Sequence, residues 1–300
     1  MTIQFERNFE ASYETVISVA PGIRRLLARN PSPFTYKGTG VAIVGRGPVA
    51  VIDPGPDDPK HLAALKEALK NETVSHILIT HTHRDHSPAA RALRQWSGAK
   101  TYGFGPHGSA LAEDGTVVEE GGDKDFVPDV AVRDGDVIEG PGFVIECVYA
   151  PGHTSNHVCY ALREGKALFT GDHVMGWSTT VVAPPDGDMG DYLQSLAKLL
   201  NRDDAIYWPT HGGPIRDPKP FVAATIEHRR MREAQILACL RDGAARISEM
   251  VPRIYIGLEH MLRPAAALSV YAHLRQLIRE GRVTSLDEPN LGGRFRLTDR

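Results

Sequence analysis

Short apolar runs alternate with amphipathic ones along the first two thirds of the chain. The runs at 40–44 (GVAIV), 49–53 (VAVID) and 75–80 (SHILIT) predict buried strands. The spacing of apolar residues over 59–70 and 89–96 predicts two helices, and the later runs VIECVYA, HVCYAL and KALFTGD are again typical of strands. This order predicts a sheet-rich core covered by helices, an α+β or α/β arrangement whose strand-end loops carry the polar clusters.

The sequence changes character around 217–220 (DPKP), where two prolines follow a glycine pair and precede a long helical pattern. The segments predicted beyond it are helices over 221–241, 247–251 and 264–280 and a hairpin-like end over 283–297. This order of elements resembles a winged helix, although a helical appendage that only packs on the first domain fits the pattern as well. We therefore predict two domains, residues 1–218 and residues 219–300.

The charge of the chain is distributed unevenly. The 300 residues carry a formal net charge of −3 and are 42% hydrophobic, which is enough for one large core or two smaller ones. Beyond residue 220 there are 13 arginines, no lysine and 9 acidic residues, so a basic segment follows an acidic body. That asymmetry is compatible with contact to an anionic polymer, and solvated helix faces are the alternative interpretation.

The opening of the chain contains no apolar run long enough for a signal peptide or a membrane span. Glu6, Arg7, Glu10 and Glu14 interrupt it, and we therefore expect a cytoplasmic protein that does not contact a membrane. None of the three cysteines lies in a C-x-x-C pair, so we expect neither a disulfide framework nor a thiolate metal site.

Residues 77–90 (ILITHTHRDHSPAA) place three histidines and an aspartate within six positions, directly after a strand-like run. Such a cluster is poor core material, because imidazole and carboxylate lose hydration without gaining apolar contact. His81 and His83 can converge on one metal from a strand end, while Asp85 and His86 can turn toward a second. Three further polar residues end later apolar runs, namely His153, Asp172 and His211. The pattern predicts a two-metal site.

The predicted ligands are nitrogens and carboxylates without thiolate, which suits two Zn(II) ions, with Mn(II) or Fe(II) possible. Two such cations can share one water and lower its pKa from 15.7 toward roughly 7, which supplies hydroxide as a nucleophile at neutral pH. Asp85 and Asp172 are the predicted catalytic carboxylates. A structural zinc site is the alternative, but it needs only four ligands. The pattern therefore favours hydrolysis and leaves the substrate open.

These motifs resemble those of the metallo-β-lactamase superfamily over most of the first 215 or so residues. In the family's order they are Asp53 in VIDPG, H-x-H-x-D-H at 81–86, His153, Asp172 and His211. The resemblance implies an αββα sandwich that holds two metals. The implied ligand sets are His81, His83 and His153 for one metal and Asp85, His86 and His211 for the other, with Asp172 between them. Asp53 corresponds to a residue that supports the ligands from outside.

A closer resemblance extends over nearly the whole chain. The segments GDHVMGWSTTVVAPPDGDMGDYLQSLAKLL and EHRRMREAQIL, with the winged-helix-like end, are similar to the lactamase-beta-like protein 2 family. That resemblance implies a dinuclear zinc endoribonuclease acting on single-stranded RNA. Candidate phosphate contacts in this chain are Arg84, Ser178, Thr179 and Thr180, although an exposed loop charge is the alternative interpretation of Arg84.

Other functions fit the same motifs. A glyoxalase II-like thioester hydrolase, a lactone or β-lactam hydrolase and a single-iron persulfide dioxygenase are alternatives, so the partner is single-stranded RNA or a small ester-like molecule. A DNA-binding regulator with a vestigial hydrolase body is a non-enzymatic alternative. The remaining histidines are not expected to bind metal directly. They are expected to support the ligands, to pack in the fold or to lie at the surface, and they are His61, His76, His107, His157, His173, His228, His260 and His273.

Overall fold

The structure is a computed structural model that describes residues 2–108, 121–243 and 245–298. Two β-sheets form the centre of the first domain, which we call the body. The first sheet contains, in spatial order, β1 (Val16–Ala20), β2 (Ile23–Leu27), β3 (Gly40–Gly45), β4 (Pro48–Ile52), β5 (Thr73–Leu78), β6 (Lys100–Gly103) and β7 (Val130–Ala131). The second contains β8 (Val137–Gly140), β9 (Phe143–Tyr149), β10 (Val158–Leu162), β11 (Ala167–Gly171) and β12 (Ile206–Pro209), also in this spatial order.

The helices are α1 (Pro59–Ala68), α2 (Ala89–Ser97), α3 (Met189–Leu200), α4 (Pro218–Arg241), α5 (Ile247–Ile254) and α6 (Arg263–Arg279), with a 3-10 helix at His260–Leu262. The strands β4, β5 and β6 are parallel, because α1 and α2 return the chain to the same edge of the sheet between them. Two further strands, β13 (Val283–Ser285) and β14 (Phe295–Leu297), form an antiparallel hairpin near the end of the chain.

Apolar side chains fill three layers of the body. Residues such as Ile52, Phe143 and Tyr160 pack between the two sheets. A second cluster lies between the first sheet and α1 and α2, and a third between the second sheet and α3 and α4. The predicted αββα sandwich is therefore confirmed, because each sheet buries both of its faces.

The segment from α4 onward forms a helical domain with its own core. Ile236 and Leu240 of α4 pack with α5, α6 and the terminal hairpin, whereas Phe221 and Val222 at the start of the same helix pack on the body. The predicted boundary at residue 218 thus coincides with the start of a helix that serves both cores. Among the described residues, no helix combines the length and apolarity needed to cross a bilayer. A cytoplasmic location remains a prediction.

Several elements differ from the sequence-based expectation, and the strands β6, β7 and β8 are among those that the apolar runs did not predict. The strands β1 and β2 were not predicted, because Arg24 and Arg25 interrupt the apolar run of β2. The helix α3 was also not predicted, although Asp188 caps it by accepting hydrogen bonds from the backbone N–H groups of Gly190 and Asp191. The helix α5 extends to Ile254, three residues beyond the predicted end.

Candidate metal centre

The seven predicted ligands lie together at one edge of the sandwich. The loop that carries residues 81–86 follows β5, Asp172 follows β11 directly, and His211 lies two residues beyond β12. The carboxyl ends of these strands meet at this edge, so residues distant in the sequence become neighbours. All seven side chains are buried, namely His81, His83, Asp85, His86, His153, Asp172 and His211.

Gly171 allows the close approach that this edge requires. Its φ is +50°, and a Cβ atom there would lie 2.6 Å from Nε2 of His157 and 2.7 Å from Oγ1 of Thr80. A larger residue at the end of β11 would therefore displace the backbone that leads into Asp172.

Three histidines form the first group. Nε2 of His81 lies 2.9 Å from Nδ1 of His83, which in turn lies 3.2 Å from Nε2 of His153. Burial and the neighbouring imidazoles lower the pKa of His81 and His83 well below 6.5, and burial also lowers the pKa of His153. These rings are therefore neutral at pH 7 and offer lone pairs to a cation.

The second group consists of Asp85, His86 and His211. Oδ2 of Asp85 lies 3.3 Å from Nε2 of His86 and 3.1 Å from Nε2 of His211. Asp172 lies between the two groups. Its carboxylate oxygens are 3.6 Å from Nε2 of His86, 3.3 Å from Nε2 of His211 and 3.9 Å from Nε2 of His153. The structure thus brings together the residues of both ligand sets that the resemblance implies, and their binding of metal stays a prediction.

The charges of the second group are balanced by pairing. Burial lowers the pKa of His211, but the charges of Asp172 and Asp85 and hydrogen bonds to them raise it to about 10. The same carboxylates raise the pKa of His86 well above 6.5 against the effect of burial. Burial raises the pKa of the Asp85 and Asp172 carboxyl groups. The imidazoles of His86 and His211 have the larger, opposite effect, and the net pKa of each carboxyl group lies well below its usual range. Without a metal, these four residues therefore form a buried set of two anions and two cations.

The donor set fits divalent cations. Nε2 of His86 and Oδ1 of Asp172 are buried and make no hydrogen bond of good geometry with any described residue. Buried polar atoms without partners are costly, and a cation would satisfy both. Three groups of residues could each hold a cation, because the ligand atoms within each group lie within 4.8 Å of one another. The groups are His81 with His83 and His153, His81 with His86 and Asp172, and Asp85 with His86 and His211. Neutral imidazole and carboxylate without thiolate suit Zn(II), Mn(II) or Fe(II).

Asp53 orients the ligands from outside the two groups. Its carboxylate accepts hydrogen bonds from the backbone N–H of Thr80 at 2.8 Å and from the hydroxyls of Thr80 and Thr210 at 2.7 and 3.2 Å. Nδ1 of His86 lies 2.9 Å from the same carboxylate. The Thr80 hydroxyl oxygen, which donates its proton to Asp53, accepts from Nδ1 of His81 at 3.0 Å. Asp53 therefore holds Nδ1 of both histidines, directly for His86 and through Thr80 for His81, so that Nε2 of each ring faces the other ligands.

Backbone carbonyls fix two further ligands. Nδ1 of His153 donates to the carbonyl of Val181 at 2.8 Å, and Nδ1 of His211 donates to the carbonyl of Gly38 at 3.1 Å. A carbonyl oxygen only accepts, so each ring carries a proton on Nδ1 and directs Nε2 toward the centre.

Metal binding is expected to release protons from the metal-free protein at about pH 8, because His211 is charged there and a ligand nitrogen must be neutral. In the metal-free protein, the raised pKa of His211 adds to the free energy of unfolding. This contribution is complete below pH 6.5 and is lost as the pH rises through about 10. Calorimetric titration with zinc in buffers of different ionisation enthalpy measures the number of protons released. His211→Asn is expected to release about one proton fewer, and equal release by the two proteins would contradict the assignment.

Arg25 is a residue that sequence reasoning missed. It is buried, and its guanidinium donates to the backbone carbonyls of Thr210 and Gly212, each at 2.8 Å. Burial lowers its pKa to about 10. Arg25 therefore holds the loop that presents His211, and an arginine inside the apolar run of β2 was the available sequence signal.

Arg229 of α4 connects the helical domain to the metal centre. Its buried guanidinium donates to the carbonyl of Thr180. The Thr180 hydroxyl in turn donates to the carbonyl of Asp172 at 2.7 Å and lies 3.1 Å from that of His173. Thr180 was predicted to contact substrate, but its hydroxyl is directed at this backbone instead.

The other histidines lie outside the two groups. His157 is buried, and its Nε2 accepts from the backbone N–H of Asp172 at 3.3 Å, which supports that ligand. His173 packs against Tyr192, and burial lowers its pKa to about 3. The remaining ones contact other parts of the fold or solvent, namely His61, His76, His107, His228, His260 and His273.

A cavity of about 350 Å³ opens above the metal centre, and five of the predicted ligands form its floor. Its walls come from three segments, 32–36, 175–181 and 259–265. Ser178 and Thr179, two of the predicted substrate contacts, line it. Arg84 is exposed, and the described lining of the cavity does not include it.

Known proteins resemble this chain in sequence and in fold. The sequence profile of the metallo-β-lactamase superfamily matches residues 37–211, and that of the β-lactamase associated winged helix domain matches residues 247–293. A β-lactamase-like protein 2 homolog of Drosophila melanogaster is 30% identical over 286 residues, which cover 89% of this chain and 91% of the relative.

An atrochrysone carboxyl ACP thioesterase of Claviceps purpurea is 29% identical over 249 residues, which cover 80% of this chain and 74% of the relative. The crystal structure of a β-lactamase domain protein from Burkholderia ambifaria superposes with a TM-score of 0.80 at 19% identity and covers 97% of this chain and 96% of that one. The seven clustered side chains, the αββα sandwich and the profile match agree, and the chain belongs to the metallo-β-lactamase superfamily.

Proposed function

We propose that this protein is a metal-dependent hydrolase that cleaves thioesters of apolar acyl groups. The observation that carries the proposal is the lining of the cavity above the metal centre. Its walls are formed largely by apolar and aromatic side chains, among them Phe34, Tyr36, Met175, Trp177 and Val181. No lysine or arginine occurs among the described residues that line it, and its charged wall residue is Glu259. Such a lining accommodates an uncharged acyl chain better than a polyanion.

The aromatic part of the wall is rigid. The rings of Tyr36 and Trp177 stack at 4.8 Å with an angle of 8° between their planes, and the Tyr36 hydroxyl donates to the carbonyl of Arg7. Paired rings present a fixed apolar surface at low conformational cost. The acyl group of a bound thioester can rest on this surface while its carbonyl reaches the floor of the cavity.

Bound divalent cations would supply an activated water and polarise the thioester carbonyl. The chain's own contribution is to hold seven ligands in place before substrate arrives. Asp53, Arg25 and the carbonyls of Val181 and Gly38 orient four of them, and all seven side chains are buried. The four are His81, His86, His153 and His211. Preorganised charge of this kind lowers an activation barrier because little reorganisation remains.

The relatives support the choice of reaction. One of them is named as a thioesterase that acts on an acyl group carried by ACP, and it aligns with four fifths of this chain. The reaction requires no cationic groups for a phosphate backbone, in agreement with the lining of the cavity.

Endonucleolytic cleavage of single-stranded RNA is the second candidate. The observation that favours it is the exposed arginines of the helical domain, including Arg230, Arg253 and Arg263, of which Arg263 directly follows the cavity residue Leu262. These side chains could contact phosphates outside the cavity. RNA would then cross the mouth of the cavity rather than fill it.

Zinc-loaded full-length protein is expected to hydrolyse the octanoyl thioester of N-acetylcysteamine at least about tenfold faster, in kcat/KM, than the polar thioester S-lactoylglutathione, because apolar contact adds to transition-state binding. Thiol release measures both reactions. The same preparation is incubated with an end-labelled single-stranded RNA, and Asp172→Asn serves as the inactive control for every substrate.

The proposal is supported if the wild type hydrolyses the octanoyl thioester, Asp172→Asn does not, and neither protein cleaves RNA. It is overturned in favour of the second candidate if the wild type cleaves RNA, Asp172→Asn does not, and neither protein hydrolyses the thioester. Cleavage that persists in Asp172→Asn would indicate a contaminating enzyme and count against both.

A further inference from the structure

The helical domain forms one side of the catalytic cavity. Glu259, Leu262 and Ala265 line it opposite the segments of the body. They belong to residues 255–265, the roof segment, which comprises the loop after α5, the 3-10 helix and the start of α6. The cavity is therefore shared between two domains, and a substrate in it contacts both.

The roof segment is anchored at both ends. At its start, Arg232 of α4 donates to the carbonyl of Ile254 at 2.9 Å, and its guanidinium lies 4.4 Å from the centre of the Tyr255 ring. At its end, Ala265 is buried, and Ala266 packs into the core of the helical domain. The position of the segment above the metal centre is thus fixed by α4 and α6.

Between these anchors the segment presents apolar side chains that the domain core does not use. Ile256 is 88% exposed and Met261 is 61% exposed, while Leu262 is half-buried at the cavity wall. The core cluster of the helical domain contains none of these three side chains. Of these three side chains, Leu262 lines the cavity and adds contact area there for an apolar ligand.

We propose that the roof segment selects the acyl group and that Leu262 is the specificity-determining residue. The inference rests on the proposed thioester activity and adds the part of the chain that sets substrate size. Leu262 contacts the cavity from a short 3-10 helix, so its side chain can be shortened without removing a member of the domain core. Glu259 at the same wall adds a negative charge, which disfavours acyl groups that end in a carboxylate.

The test compares wild type, Leu262→Ala and Leu286→Ala on N-acetylcysteamine thioesters from butanoyl to dodecanoyl. Leu286 is a matched control, because it is 47% exposed in the same domain and is not among the described cavity residues. Leu262→Ala is expected to shift the ratio of kcat/KM for dodecanoyl over butanoyl by about tenfold toward the longer chain, the usual size of a one-contact change in an apolar pocket. Leu286→Ala is expected to keep the wild-type ratio.

Binding of the matching S-alkyl thioethers, which cannot be hydrolysed, is measured by calorimetry in the same three proteins. Thioester turnover with a chain-length profile unchanged by Leu262→Ala would overturn the role of the roof segment and leave the proposed function standing. If no thioester is turned over but the proteins bind thioethers with a chain-length preference that depends on Leu262, the role of the roof segment is supported and the proposed function is overturned. Neither turnover nor binding would overturn both.

Discussion

Asp172→Asn is expected to lower kcat for hydrolysis by at least about a thousandfold, equivalent to roughly 4 kcal/mol of transition-state stabilisation. The carboxylate of Asp172 lies between the two ligand groups, 3.3 Å from Nε2 of His211 and 3.6 Å from Nε2 of His86. An amide keeps the shape of the side chain but removes its charge and one metal-binding oxygen. Steady-state kinetics with metal analysis of the same samples measures the effect.

The KM of Asp172→Asn is expected to stay within a few-fold of the wild-type value, because the acyl group is held by the cavity walls rather than by this carboxylate. Asp203→Asn is the matched control, since the Asp203 side chain is 82% exposed and pairs only with Lys166 among the described residues. Full turnover by Asp172→Asn in samples free of contaminating enzyme would refute a catalytic role for the two-group centre.

Asp53→Ala is expected to lower the free energy of unfolding of the metal-free protein by about 3 kcal/mol, because it leaves buried donors without an acceptor. The Asp53 side chain accepts from Thr80, Thr210 and His86 and is 1% exposed. Its backbone φ of +49° adds to the loss, since alanine tolerates the left-handed region less well than aspartate. Urea unfolding in the presence of a chelator measures the change.

The same substitution is expected to weaken zinc binding by about 10- to 100-fold, because His86 and the Thr80–His81 pair lose the group that orients them. Asp57→Ala, an exposed position in the same loop, is expected to change stability by no more than about 0.5 kcal/mol. If Asp53→Ala unfolded at the same urea concentration as Asp57→Ala, Asp53 would have no organising role.

Most of the metal centre could be predicted from the sequence because each ligand belongs to a short local signal. The cluster at 81–86 begins three residues beyond β5, Asp172 follows β11 directly, and His211 lies two residues beyond β12. The carboxyl ends of β5 in the first sheet and of β11 and β12 in the second meet at one edge of the sandwich, so the polar residues that follow these strands become neighbours. The structure brings all seven together, and their binding of metal remains a prediction that the proton-release experiment tests.

The substrate contacts were less predictable than the ligands. Ser178 and Thr179 do line the cavity, but the Thr180 hydroxyl is bound to the carbonyl of Asp172 and the exposed Arg84 is outside the described lining. The sequence of the segment that carries Ser178, Thr179 and Thr180 does not indicate which of these side chains faces the cavity, because an irregular segment has no fixed side-chain period.

The sequence by itself determined the strand-end chemistry, a sheet-rich core covered by helices and the winged-helix-like order of the last elements, since these depend on local periodicity and on short motifs. The αββα layering was implied by the family resemblance. The tertiary structure alone decided how Arg25 supports the loop of His211, how Arg229 reaches Thr180 and how Leu262 comes to line the cavity. The first two contacts span 185 and 49 positions. No periodicity encodes such pairs, because they arise only when separately formed elements pack and bury their shared surfaces.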